Sequence, residues 1–289
     1  SGHEALTRSY DAWLGGVRVR DELLAPWPAR ALAATLDRDS GPYEVGAPLP
    51  AGWHWLYFHD PVPASRLGPD GHEARGDFLP DVPLPRRMWA GGRLRFHGEL
   101  VLGDRARRRS TVERIVRKEG RAGPLVFVTV RHEISGSDGL VVDEEQDIVY
   151  RGEATGSANG RSGRPVSWTR PAGAETLEGF VADEVTLFRF SALTFNGHRI
   201  HYDHPYATGR EGYPGLVVHG PLLALLLMDA ATRLRDRPMR SFEYRALAPV
   251  FHGEPIELVA SAPDPGHDGE RQLWAAHSQR GPAMEARFR

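Results

Sequence analysis

The sequence predicts an α+β protein in which an antiparallel sheet wraps a central helix, and does so twice. Three observations carry this expectation. Short segments of alternating apolar and polar residues recur in both halves of the 289 residues, and that period marks strands with one buried face. A helix expected over 221–234 is apolar all round from Leu222 to Met228, which suits a core rather than a surface. Between the halves, residues 152–163 (GEATGSANGRSG) hold no apolar anchor and read as a linker.

In chain order, residues 5–14 read as a moderately amphipathic helix. Residues 28–36 (PARALAATL) read as a second, with Pro28 at a first helical position. Residues 53–58 (WHWLYF) are aromatic and strand-like, and a Pro/Gly-rich loop then runs to Pro85. Strands are expected over 93–102, 111–117, 125–132 and 140–150; in the first, Leu94, Phe96, Gly98 and Leu100 alternate with Arg95, His97 and Glu99. The second half repeats the plan with a strand over 184–190, a polar loop, the apolar helix, and strands over 240–247, 256–261, 272–277 and 284–288. Arg233 and Arg235 fall in the last turns of that helix, where cations suit its dipole. The expected division is a first domain over 1–151, a linker over 152–166 and a second domain over 167–289.

Composition narrows the function. Lys+Arg 36 against Asp+Glu 38 gives a net charge of -2, unlike the basic footprint of a nucleic-acid binder. Lys118 is the only lysine, so neither a P-loop lysine nor a Schiff-base lysine is expected. Zero cysteines remove thiolate catalysis and thiolate metal sites. No segment has the build of a signal peptide or the length of a membrane span, so the expected compartment is the cytoplasm and no membrane partner is expected.

The chemistry concentrates between Asn196 and Gly220. An amide and an imidazole stand five residues apart (Asn196, His201), and four histidines (His198, His201, His204, His219) fall within 22 residues. Imidazole is the side chain whose ordinary pKa suits proton transfer at neutral pH. His198, His201 and Asp203 also have the donor types of a zinc site, but the same residues serve acid–base work without an ion, so no metal is expected. Gly220-Pro221 opens the apolar helix. The first N–H groups of a helix lack internal partners and lie at its positive end, proline at the start removes no needed donor, and Gly220 leaves its own N–H open to a developing anion.

The pattern Asn196-x4-His201-x-Asp203, with Tyr206, Ala207, His219 and Gly220, resembles the MaoC-like (R)-specific enoyl-CoA hydratase superfamily, whose fold is the hot dog. Four longer stretches, 52–58, 84–92, 192–203 and 213–222, resemble a narrower branch, the double hot-dog mesaconyl-C4-CoA (3-methylfumaryl-CoA) and itaconyl-CoA hydratases. The resemblance covers nearly the whole chain. It implies a tandem hot dog whose first domain is noncatalytic, and reversible hydration of an unsaturated acyl-CoA, with mesaconyl-C4-CoA giving citramalyl-CoA as the expected reaction. It implies His201 as base, Asn196 as holder of the water and the Gly220 N–H as oxyanion donor. Tyr202, Asp203, Val218 and His219 are implied as substrate-binding neighbours, and coenzyme A enters only as part of the substrate, with no other cofactor. The family usually has Asp where Asn196 stands; an amide cannot act as a base, which leaves His201 alone.

An acyl chain with a free carboxylate needs a cation, and arginine binds carboxylates at two points. Arg199, where the family pattern has proline, is the first candidate, followed by Arg210 and Arg189; Arg86, Arg87 and Arg93 are candidates for the CoA phosphates. A homodimer of double hot dogs is expected from the resemblance alone. Three other readings stay open within enzymes: an itaconyl-CoA hydratase, a (3R)-hydroxyacyl-thioester dehydratase, or a thioesterase. Outside that set stand a noncatalytic acyl-CoA-binding module and a metal-dependent hydrolase.

Overall fold

The computed structural model describes residues 2–39, 41–120, 123–152, 168–264, 266, 269–277 and 280–289. The expected linker, 152–166, lies outside them apart from Gly152. The first half supplies α1 (Gly2–Thr7), β1 (Val17–Leu23), α2 (Pro26–Thr35), β2 (Arg86–Phe96), β3 (Arg105–Gly120), β4 (Gly123–Gly136) and β5 (Gly139–Arg151). The second supplies β6 (Glu175–Val181), α3 (Glu184–Leu193), α4 (Gly220–Arg233), β7 (Ser241–Ala246), β8 (Pro255–Ala260), β9 (Arg271–His277) and β10 (Gly281–Phe288).

The strands form one sheet in the order β1-β3-β4-β5-β2-β7-β10-β9-β8-β6. Counted inward from each edge, both halves run first, third, fourth, fifth, second strand. Each half is thus the same antiparallel unit, with its helices, α1 apart, inserted between its first and second strands. This is the α+β double hot dog expected from the alternating segments. The halves are joined where β2 pairs with β7, Gly91 opposite Arg245 and Gly92 opposite Tyr244. A Cβ on Gly91 would stand 2.5 Å from the Tyr244 carbonyl oxygen, so the junction closes only with glycine there.

α4 is the core helix of the second half. Nine of its residues are buried, and it packs on β7, β8, β9 and β10. Burial on every side explains why the sequence carries no polar stripe there. The first half departs from expectation. Its ten-residue α2 packs against α3 and the 3-10 turn at Trp53–Leu56, and among the described residues no long helix fills the middle of its sheet. His132, Glu144, Gln146 and Ile148 line a cavity there instead.

Three local expectations are corrected. Residues 184–190 form a helix, not a strand: Asp183 caps α3 by accepting from the Thr186 N–H at 2.8 Å, and Leu187, Phe190 and Ser191 are buried at helical spacing. The 53–58 stretch is a turn because its aromatic polar tips find buried partners. Trp53 Nε1 donates to Asp229 (2.9 Å), Trp55 Nε1 to Glu144 (2.8 Å), and the Tyr57 hydroxyl to the Ala25 carbonyl (2.6 Å). The N-terminal helix spans only Gly2–Thr7. Two further strands, β1 and β6, stand at the sheet edges without a counterpart in the sequence reading. No helix is long and apolar enough to cross a membrane among the described residues.

Candidate active site

A cavity of about 1340 Å³ runs between the halves, and His201, Asn196 and Gly220 all line it. His201 is 6% exposed. Its Nδ1–H donates to the Val217 carbonyl at 2.7 Å, which fixes the tautomer and leaves Nε2 as a lone-pair acceptor. The ring stacks on His219 at 3.6 Å between centroids and 16° between planes. His219 is itself held by Ser191, whose Oγ lies 2.7 Å from Nε2. Behind the base stands a second buried imidazole, so His201 cannot swing away from the cavity.

His219 is also the N-cap of α4. The His201 imidazole and the helix start are therefore one rigid unit. No backbone carbonyl accepts the Gly220 N–H among the described residues, and Pro221 has no N–H to offer. Opposite lies the Trp89 ring: a Cβ on Gly220 would meet its Cε3 at 3.3 Å. Gly220 thus lines the cavity in close contact with that ring.

Asn196 Oδ1 accepts the His198 backbone N–H at 2.9 Å. Because an N–H can be received only by the amide oxygen, Asn196 turns its NH₂ away from this bond. It can hold a water by donating to it. The catalytic loop is docked on the first half through two glycines. Gly71 has φ +88 and a Cβ there would overlap the Gly197 carbonyl, while the Arg199 N–H donates to the Asp70 carbonyl at 2.9 Å. This contact brings His72 to 4.1 Å from His198, ring to ring, and His198 to 5.5 Å from His201. Asp70, His72 and His198 place ligand-type atoms within 4.8 Å of one another. Asp70 accepts from the His72 N–H (3.1 Å) and lies 3.2 Å from its Nδ1. The loop around His72 has no periodicity, and only its Asp-x-His spacing could have drawn notice in the sequence.

Several expected substrate contacts are placed elsewhere. Arg199 does not line the cavity. Its guanidinium bonds Asp203 at 2.7 and 2.9 Å, reaches the Pro69 carbonyl and lies 4.3 Å over the Tyr206 ring. Asp203 also accepts the Tyr206 N–H. Both residues therefore staple the loop rather than face a ligand. The zinc grouping of His198, His201 and Asp203 is not assembled, since Asp203 is turned to Arg199 and His201 Nδ1 to Val217. Tyr202 and Val218 line the cavity, whereas His219 backs His201 from behind. Arg86 and Arg87 line it as well, and Arg86 is occupied by the Glu211 carbonyl at 2.8 Å.

Burial sets the electrostatics. It lowers the proton affinity of His201 to about 4, only partly opposed by the bond to Val217. Burial, then the nearby His72 and His201, holds His198 at about 2; burial also holds His132 at about 4. A base must be neutral to act, so kcat/KM should stay flat from pH 8 down to about 5, without the acid limb near 6.5 of a free imidazole. Stability behaves differently. The unfolded chain takes up protons below about pH 6.5 while the folded chain resists until about 4, so folding stability present above 6.5 is lost across that window. One such histidine corresponds to about 3 kcal/mol. Melting temperature should therefore drop between pH 7 and pH 4.5. An acid limb in kcat/KM near 6.5 at constant fold would contradict the assignment of His201.

Fold and site together define a double hot-dog hydro-lyase of acyl thioesters. A model of the hydroxyacyl-thioester dehydratase type 2 family matches residues 52–252, and the chain belongs to that family. It is 46% identical over 254 residues to the mesaconyl-C(4)-CoA hydratase of Chloroflexus aurantiacus, covering 86% of this chain and 88% of that protein. It is 29% identical to the mitochondrial hydroxyacyl-thioester dehydratase type 2 of Schizosaccharomyces pombe, over 74% of this chain and 78% of the relative. Among solved structures, a MaoC-like dehydratase superposes with a TM-score of 0.69 at 17% identity, covering 97% and 99% of the two chains.

Proposed function

We propose that this protein hydrates mesaconyl-C4-CoA to citramalyl-CoA, reversibly. The observation that carries the reading is that His201 and Gly220 line the same cavity while, among the described residues, neither His201 Nε2 nor the Gly220 N–H has a protein partner. The 46% identity to a mesaconyl-C(4)-CoA hydratase supports the choice of acyl group.

In the proposed reaction the thioester oxygen accepts from the Gly220 N–H at the positive end of α4. A water accepts from the Asn196 NH₂ and donates to His201 Nε2. His201 takes its proton as the water oxygen bonds to the β-carbon, and the π electrons of the double bond move into the thioester enolate. The enolate collapses by taking the proton back from His201 at the α-carbon. Water is consumed, the imidazole is regenerated and no electron is exchanged, so the chemistry drawn uses protein groups and substrate alone. Asn196 cannot carry a proton, so one imidazole serves both steps from one face. The addition should be syn: hydration in D₂O should set deuterium at the α-carbon and hydroxyl at the β-carbon on the same side. Anti addition would require a second acid and contradict the scheme.

The test of the substrate is a panel of unsaturated C4 and C5 acyl-CoAs, including itaconyl-CoA and crotonyl-CoA, read by loss of enoyl-thioester absorbance. Mesaconyl-C4-CoA should give the highest kcat/KM. Release of free CoA in place of hydration would indicate a thioesterase. A cytoplasmic homodimer is part of the same proposal, the dimer to be checked by sedimentation.

A further inference from the structure

Four arginines line the cavity, Arg86, Arg87, Arg108 and Arg151, and the reaction above uses none of them. Arg108 donates to the Phe58 carbonyl and lies over its ring, whereas among the described residues no carboxylate lies within ion-pair distance of the Arg87 guanidinium. Its neighbour on β2 is different: Arg86 is tied to the carbonyl and carboxylate of Glu211 and lies over the Tyr213 ring. Asp70, the carboxylate of the adjoining cluster, is engaged by His72. A cation facing a cavity without a counter-ion invites an anionic ligand.

Geometry says which part of a ligand it meets. Side chains two apart on a strand share a face and stand roughly 6.7 Å apart. Arg87 pairs in register with Tyr150 and Trp89 with Ile148, and the β2 bulge comes only after Trp89. Arg87 thus projects one repeat along the strand from Trp89, and Trp89 is the ring that faces Gly220. On its other side Arg87 acts electrostatically on His72 and His198, the histidines beside His201. In a trans four-carbon diacid thioester, standard bond lengths put the thioester oxygen and the far carboxylate oxygens about 5–6 Å apart. That span is of the same order as the roughly 6.7 Å repeat between Trp89 and Arg87 along one face of β2.

We infer that Arg87 is the specificity residue that anchors the free carboxylate of the acyl group, selecting monothioesters of dicarboxylic acids with the carboxylate on the β-carbon. Arg199, the candidate from the sequence, is replaced in this role. The inference rests on the proposed function, because mesaconyl-C4-CoA carries its carboxylate on the carbon that water attacks. A guanidinium there also withdraws the negative charge that otherwise opposes addition at that carbon.

The test compares an acid with its neutral isostere. Methylsuccinyl-C4-CoA, saturated and unreactive, and its methyl ester are competed against turnover of mesaconyl-C4-CoA in the parent, R87Q, R87K and R199Q proteins. The parent should prefer the acid by about 100-fold, the scale of a two-point charge-assisted contact. R87Q should reduce that preference to within a few fold while ester binding changes little; R87K, which keeps the charge but loses the fork, should fall between; R199Q should keep the parent's preference. For a variant too slow to follow by turnover, the same ratio is read by equilibrium binding of the two inhibitors. A parent that prefers the acid and an R87Q protein that prefers it equally would overturn the assignment of Arg87 and leave the proposed function standing. A parent that neither hydrates mesaconyl-C4-CoA nor distinguishes acid from ester would instead remove the reading beneath it. If R87Q does not fold, R87K decides: a preference equal to the parent's overturns the assignment.

Discussion

His201→Ala is expected to lower kcat by about 10²–10⁴-fold while the affinity for a saturated acyl-CoA stays within a few fold. The range is that of a lost general base. Its upper part is favoured here because no other group can take over. Asn196 has no basic atom, and its oxygen is committed to the His198 N–H. His198 is held at about 2 by burial and its histidine neighbours, too weak a base to substitute. His219 is fully buried behind the ring, bonded to Ser191. A His201→Ala protein that hydrates at the parent rate would remove the base from the scheme. One that loses binding as well as turnover would reassign His201 to the shape of the cavity.

Gly220→Ala is the second large effect, about 10²–10³-fold in kcat, the scale for loss of one oxyanion donor. Its diagnostic value is that folding should hardly change. Gly220 sits in α4 without a positive φ, so alanine suits the backbone there and even has the better helix propensity. The added methyl goes where a thioester oxygen must approach, 3.3 Å from Trp89 Cε3. Melting temperature should move by no more than a few degrees while turnover collapses. Equal loss of stability and activity would point to a strained Trp89 rather than to a blocked donor.

Much of this was legible in the chain. Eight of the ten strands and α4 announced themselves through alternation or through apolarity on all sides, because burial on one face or on every face leaves a direct trace in hydropathy. The spacing of Asn196, His201 and Gly220 pointed to residues that line one cavity and to the start of α4, because that pattern is local. What failed was decided by partners far along the chain. Residues 184–190 alternate like a strand, yet Asp183 bonding Thr186 starts a helix. β1 hides by inversion: Val17, Val19 and Leu23 are exposed, while Arg18 and Arg20 turn inward to Asp60. Arg199 looked available until Asp203, four residues on, was seen to hold it. In the sequence Arg87 reads as a candidate for the CoA phosphates, and nothing there points it at the acyl group, because a cation in a cavity is defined by what surrounds it in space.

The most direct measurement is a crystal structure with methylsuccinyl-C4-CoA bound. The thioester oxygen is expected within about 3 Å of the Gly220 nitrogen, a range set by ordinary hydrogen-bond geometry. The β-carbon is expected to face His201 Nε2 across one water that also touches Asn196, in keeping with the proposed reaction. An acyl group seated elsewhere in the cavity, or His201 Nε2 bonded to a protein group in the complex, would contradict it.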